Sequence, residues 1–559
     1  MNIAKKFNLW MGIALLILCF FIIFVVYPLI LILYKSVIDP ESSKLTLDYF
    51  TKFFARKYYW STLVNSFYVT VCSTIIASVI GLPMAYVLRS VKIPGSKYLN
   101  ILIVISYLSP PFIGAYAWIQ LLGRNGFVTQ IINSIFGVKL DGIYGFAGIV
   151  LVFALQSFPL IYMYVSGALK NLDNSLNEAA ESLGLTAFQR VRQIILPLVM
   201  PSLLAGSLLV FMRVFSDFGT PMLIGEGFKT FPVLIYTQFM GEVSTDDHFA
   251  ASLCVIVIVI TLLLFFLQRY IAGHYSYSMT ALKPMEAVEA KGSKKIFAYL
   301  FVYGVTFLAM LPQLTVIFTS FLEVSGGAVY TGNFSLQNYK TLFTTGELLG
   351  MIGGTFALAI GSACIATILG TIGAIGAFYS KKGSRRFMDF ANQIPVVNAE
   401  VVTGFSICVL LIVVLGLSKD SFFPLIVGHV VLEAPFVYLS VLPKLKQMDN
   451  SIYEAALDLG ANASVALRKV VIPQLIPGIV SGFMLSVTLS LDDYFITTYT
   501  KPSTFDTIST YVVNATKGSH TEIKTALWAL STLIFVVIVA GVLAWNLLAD
   551  RKAGAENER

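Results

Sequence analysis

The sequence predicts an all-α integral membrane protein of about twelve membrane-spanning helices, arranged as two parallel six-helix repeats. Three observations carry that expectation. The chain is 57% hydrophobic and only 12% charged, with a mean hydropathy of +0.81, against the roughly 25% charged residues of a soluble domain. Its apolar residues gather into about twelve runs, each long enough to cross a ~30 Å hydrocarbon core. One polar passage, "LDNSLNEAAESLGLTAFQRVRQIILP" from Leu172 to Pro197, returns 276 residues later as "MDNSIYEAALDLGANASVALRKVVIP", from Met448 to Pro473.

The runs fall near 9–34, 62–88, 98–122, 142–169, 199–223, 248–268, 295–322, 350–379, 387–417, 422–443, 474–499 and 523–548. The first is too long for a signal-peptide core of about 7–15 residues and no small-residue cleavage site follows it, so it reads as a membrane helix kept in the mature protein. A polar stretch with "SYSMTALKPMEAVEAKGSKK" separates six runs from six. The expected organisation is a first half at 1–269, a cytoplasmic linker at 270–295 and a second half at 296–559. Glycine and proline inside the runs suit membrane helices, where small residues let neighbours approach.

Lys and Arg set the orientation. With a cytoplasmic N-terminus, the inside segments carry 24 basic residues and the outside loops 12. That bias puts both termini and both polar passages in the cytoplasm of a cell-membrane protein. The net charge of +8 is then topological and calls for no nucleic-acid partner. The five cysteines lie in apolar runs without a CxxC pair, so neither a disulfide framework nor a metal site is expected. The chain has no phosphate-cradling GxxxxGK[ST], no HExxH, no GxSxG and no His/Cys cluster, which leaves no basis for an enzyme or a resident cofactor. His429, alone in an apolar run, reads as a satisfied packing residue.

The repeat runs without a gap from Pro159/Pro435 to Asp217/Asp493, and each half begins on the same side with an even number of spans. The repeats are therefore parallel, not inverted. Within one copy, Asp173, Asn174 or Ser175 offers an N-cap, and Glu178 stands at capping-box spacing from Ser175. Ala179 and Ala180 are expected on the surface of a short helix, Gly184 at its left-handed end, and Thr186 at the cap of a second helix that reaches the membrane near Pro197. Two such knobs, with Ala methyls, one acid and little bulk, suit insertion into a groove on another protein.

The pattern EAA, three residues, Gly, nine residues, then Ile-x-Leu-Pro resembles the signature of permeases of binding-protein-dependent ABC importers. Glu178, Ala179, Ala180, Gly184 and Pro197 match it with Ile194 and Leu196. Glu454, Ala455, Ala456, Gly460 and Pro473 match it again, with Val470 and Ile472 as conservative departures. The resemblance implies the type I ABC importer permease fold and a coupling helix in each half. It also implies two ABC ATPase subunits on the cytoplasmic side, where ATP is hydrolysed, and an external solute-binding protein. The first half, through "SPPFIGAYAWIQLLGRNG" and "FSDFGTPMLIGEGFKTFPVLIYTQF", is similar to fused ferric-iron-type permeases. The second, through "LSLDDYFITTY", is similar to spermidine/putrescine permeases. Ferric iron is the expected cargo, with polyamine, phosphonate or sugar phosphate as alternatives.

Charges inside spans are costly and mark partners or pathways. Arg213 and Asp217 share a helix face at i, i+4. Asp492 and Asp493 stand at the corresponding place in the second half, and Glu400 and Glu433 lie beside prolines. These six are the candidate substrate-pathway residues, and an acidic lining suits a cation. A competing class, the ion-gradient-driven secondary transporter, fits twelve spans but leaves the duplicated knobs without a purpose.

Overall fold

A computed structural model describes residues 12, 17–107, 111–137, 141–240, 246–274, 287–325, 329–380, 382–517, 526–537 and 539. Most of the linker, His520 and the C-terminal tail lie outside the described residues. In chain order the helices are α1 (Ile17–Val37), α2 (Asp48–Ala55), α3 (Lys57–Ser90), α4 (Ser96–Tyr107), α5 (Pro111–Leu122), α6 (Phe127–Phe136), α7 (Phe146–Lys170), α8 (Ser175–Ser182), α9 (Ala187–Ser216), α10 (Gly219–Ile224), α11 (Phe231–Met240), α12 (Asp247–His274) and α13 (Ser293–Ser320). There follow α14 (Gln337–Thr344), α15 (Gly346–Tyr379), α16 (Lys382–Val397), α17 (Glu400–Val414), α18 (Phe422–Gln447), α19 (Asn450–Asp458), α20 (Ser464–Asp492), α21 (Phe495–Thr500), α22 (Ile508–Lys517) and α23 (Ala526–Val537). A hairpin of β1 (Leu322–Ser325) and β2 (Val329–Phe334), with Leu322 opposite Phe334, follows α13. The hydropathy pattern gave no sign of it.

Among the described residues, nine helices are long and apolar enough to span a membrane, or ten if α16 and α17 count as one bent span. The run at 98–122 is described as α4 and α5, on either side of residues 108–110. The run at 387–417 bends by 106° between Arg385–Val397 and Glu400–Val414. α17 begins at Glu400, directly after the bend. The run at 523–548 is described only as a shorter helix, α23.

Three helices widen to a five-residue π turn immediately before a helical Xaa-Pro: Ile22–Val26 before Tyr27-Pro28, Val191–Ile195 before Leu196-Pro197, and Leu467–Val471 before Ile472-Pro473. Proline has no N–H to give the carbonyl four residues back, and its ring collides with that carbonyl. A wider turn moves the carbonyl aside, and the helix continues. The second helix of each polar passage therefore continues into the membrane span. α9 and α20 run straight through Pro197 and Pro473.

The chain packs as two units that do not coincide with its sequence halves. Unit 1 comprises Met1–Lys57, Ile235–Leu262 and Gly346–Asn514; unit 2 comprises Tyr58–Leu234, Leu263–Thr345 and Ala515–Arg559. α1 belongs to the unit that carries α15 to α21: Ile17, Phe21 and Val25 pack into one core with Ala374, Val437 and Tyr438. α13 belongs to the other: Val302 and Ala309 share a core with Trp118, Phe153 and Ile161.

The most enclosed long spans are α18, 78% buried, and α7, 67% buried, one central to each unit; α15 follows at 56%, against 22–39% for α3, α9, α13 and α20. Glycine lets a neighbour close on α7 and on α18. A Cβ on Gly81 of α3 would stand 2.7 Å from Ile161 Cβ and 2.8 Å from Phe158 O; one on Gly370 of α15 would stand 2.7 Å from both Ala434 O and Val437 Cβ. These are backbone-to-backbone contacts of the small-residue kind that holds helices together in lipid. A tyrosine on each central helix donates to a polar partner on the next: Tyr162 to Asn100 in unit 2, Tyr438 to Asp389 in unit 1.

Candidate functional site

Two features of each unit bear on function: the short helix of the polar passage, and the joint where a long helix turns into a short one.

α8 begins at Asn174, with Asp173 Oδ1 accepting from the Ser175 N–H at 3.0 Å and Asn174 Nδ2 donating to Glu178 Oε1 at 2.9 Å. Glu178 thus binds Asn174, and the expected box with Ser175 gives way to this arrangement. The capping box forms one helix later, where the Thr186 hydroxyl accepts from the Gln189 N–H and Gln189 Oε1 accepts from the Thr186 N–H at 2.9 Å. α19 starts the same way: Asp449 Oδ1 accepts from the Ser451 N–H at 2.9 Å, which holds its carboxyl below the usual range.

Both helices end in a full Schellman motif. The N–H groups of Gly184 and Leu185 reach the carbonyls of Glu181 and Ala180; those of Gly460 and Ala461 reach Leu457 and Ala456. Gly184 and Gly460 sit at φ +82° and +88°, a region that costs an L-residue roughly 1–2 kcal/mol. The left-handed end was legible in the sequence; the surface was not. Ala180 is buried, so it does not line the outer face with Ala179, while Ala455 is exposed and Ala456 half-buried. The bulk offered outward is Leu183, 82% exposed, and Leu459, 89% exposed, beside exposed Glu178 and Glu454.

The joints lie at Asp217 and Asp493. Asp217 follows α9, and its Oδ1 accepts from the Thr220 N–H at 3.1 Å at the start of α10. Asp493 follows α20 and takes the Ile496 and Thr497 N–H groups and the Thr497 hydroxyl at 3.3, 2.8 and 2.8 Å. Asp493 is 2% exposed. His429 lies beside it on α18, with Nε2 3.0 Å from Thr497 Oγ1 and 3.6 Å from Asp493 Oδ2. Nδ1 is 2.7 Å from Ser490 Oγ and 3.7 Å from Glu433 Oε1, and Ser362 of α15 donates to Glu433 at 2.8 Å. The structure thus brings Glu433 and Asp493 together around His429, all enclosed. Elsewhere, the Arg213 guanidinium lies 4.3 Å from the centre of the Tyr107 ring, a cation–π contact. Asp492 ends α20 half-buried, and Glu400 is exposed in the first turn of α17, where its charge suits the helix N-terminus.

The sequence profile of the "Binding-protein-dependent transport system inner membrane component" family matches residues 77–276 and again 366–554. The chain belongs to this family. It is a multi-pass membrane permease and a transport subunit. The "Ferric transport system permease protein FbpB" of Actinobacillus pleuropneumoniae is 24% identical to it over 552 residues, 96% of this permease and 78% of that one. The "Putrescine transport system permease protein PotI" of Escherichia coli (strain K12) is 31% identical over 254 residues, 44% of this permease and 88% of that one. A solved bacterial ABC transporter that imports the acidic polysaccharide alginate covers 49% of this permease at 16% identity and a TM-score of 0.43. The matched segments contain both polar passages and both joints.

His429, Ser362, Ser490 and Thr497 are the site residues that sequence reasoning missed. His429 and Glu433, four apart in an apolar run, were the available signal, because an ionisable pair on one face of a membrane helix needs partners.

Proposed function

We propose that this permease passes ferric iron, delivered by an external solute-binding protein, and that two separate ABC ATPase subunits drive it, one docking on α8 and the other on α19. The observation that carries the docking is the duplicated helix, Schellman turn and outward leucine. A surface leucine in water gains nothing; buried in a partner's cleft it gains about 1.5–3 kcal/mol. An adjacent acid and a left-handed glycine fix the angle of presentation. The excess of Lys and Arg around these passages supports a cytoplasmic position for both helices and both termini. Iron as cargo is supported by similarity to a ferric permease across 96% of the chain, and the exposed Glu400 would offer a cation an acidic group on its route.

Polyamine cargo is the second reading, favoured by the 31% identity to a putrescine permease. Membrane vesicles holding the permease with its ATPase and binding protein separate the two: ATP-dependent uptake of ⁵⁵Fe(III) without uptake of ¹⁴C-putrescine supports iron, and the reverse result replaces it. For the docking, the E178A/E454A/L183A/L459A variant should lose co-purification of the ATPase by at least about tenfold. Retained ATPase in that variant would overturn the assignment of α8 and α19.

A further inference from the structure

We infer that His429 and Glu433 form a buried proton-binding site, occupied at neutral pH, that ties α15, α18, α20 and α21 of unit 1 together. The inference is independent of the cargo.

Hydrogen positions follow from the donors. The Thr497 hydroxyl gives its hydrogen to Asp493 Oδ2 at 2.8 Å, so at 3.0 Å from His429 Nε2 it accepts. Nε2 therefore carries a hydrogen. At Nδ1 the partner is Ser490 Oγ, 2.7 Å away and 3.5 Å from Ser362 Oγ, the hydroxyl that donates to Glu433. If Ser490 donates to Nδ1, the imidazole is neutral and two carboxylates are sealed in without a counter-charge. If Ser490 turns its hydrogen to Ser362 instead, Nδ1 donates to Ser490 and the ring is an imidazolium between two acids.

Enclosure decides between these. His429 and Glu433 are 0% exposed and Asp493 2%. An uncompensated buried carboxylate costs several kcal/mol, whereas one added proton turns the enclosed charge from −2 to −1 and satisfies both ring nitrogens. Among the described residues, the charged groups facing the ring are Glu433 from its own helix and Asp493 from the joint of α20 and α21; α15 and α21 present hydroxyls, Ser362 and Thr497. Both ring nitrogens are spent on hydroxyls, and no three His, Cys, Asp or Glu side chains among the described residues suit a metal ion. A proton is the ligand that fits. Because the site is assembled from four helices, any movement that parts them also changes its proton occupancy.

The test is ¹⁵N NMR of the full-length permease in lipid nanodiscs, labelled at histidine. The chain has four histidines, and the His429 signals are identified by their loss in H429Q. At pH 7 both ring nitrogens of His429 should show imidazolium shifts. In E433Q the second proton should leave at a proton concentration at least about tenfold higher, a change of about 1.4 kcal/mol. If E433Q does not assemble, E433D, with the carboxylate drawn back by one methylene, should move the release in the same direction. A neutral His429 at pH 7 overturns the inference. So does a charged His429 whose release is unmoved by the Glu433 variant.

Discussion

The joint after α20 in unit 1 and its counterpart after α9 in unit 2 share a backbone device and differ in what surrounds it. In both, an aspartate caps the short helix that follows. Around Asp493 stand His429, Glu433, Ser490 and Thr497; at the positions 276 earlier stand Phe153, Ser157, Val214 and Pro221. Phe153 and Ser157 are each 2% exposed, so unit 2 fills the same depth with an aromatic ring and a hydroxyl. The cap and the glycine contact on the central helix are thus requirements of the fold, since both copies keep them. The buried charges are an addition to one copy.

Four experiments would break or sharpen that comparison, from the largest expected effect to the smallest. H429A removes the cation that, among the described residues, stands between two sealed carboxylates, and should destabilise the protein by about 3–5 kcal/mol. Transplanting the unit 2 side chains as H429F/E433S should cost far less than H429A, because a well-packed apolar replacement of buried charges is often neutral. Thermal unfolding in nanodiscs ranks the two, and equal losses would mean that shape rather than charge governs the joint. Next, D493N should lower stability by about 1–3 kcal/mol and more than D217N does, because Asp493 accepts from two N–H groups and a hydroxyl.

A third test compares the anchors of the short helices. In unit 2, Arg190 pairs with Glu181; in unit 1 those positions are Ala466 and Leu457, and Tyr453 packs against Tyr379 with ring centres 5.7 Å apart and the rings tilted by 41°. R190A should shift hydrogen exchange of α8 by about 1 kcal/mol, because Glu181 is 66% exposed while Arg190 is only 16% exposed, and Y453A should loosen α19 more. Equal effects would make the ion pair an anchor in its own right.

The smallest effect concerns pH. The Ser451 N–H holds the Asp449 carboxyl below its ordinary value of 3.8. A depressed folded-state value means that the stabilisation is complete above 3.8 and is lost as pH falls through the lower folded value. Amides at the start of α19 should therefore exchange faster in that acid range, and D449N should abolish the dependence.

Much of this was legible in the sequence, because it rests on local pattern. Apolar runs gave the spans, the polar passage gave the short helices, and Gly184 and Gly460 gave the left-handed ends. What escaped depends on neighbours. The packing of α1 with α15 and α18 is set by which surfaces meet, not by the composition of residues 17–37. The bend before Glu400 sits inside an unbroken apolar run, which hydropathy reads as one span. Ala180 was expected outside because its neighbour Ala179 is; the helix turns it inward. His429 looked like filler until Ser490 and Thr497, some sixty residues later, were brought against its ring.

Each five-residue π turn lodges one more residue than an α turn would need. Past it, every side chain of α9 and α20 is indexed about 100° around the axis from where an unbroken α-helix would have set it. The proline that prompts the wide turn therefore also aims the helix. Gly206 meets Tyr164, and Gly482 meets Val437, only because that extra residue was inserted upstream. Losing one residue between Val191 and Ile195 would leave the membrane segment intact in composition and wrong in azimuth.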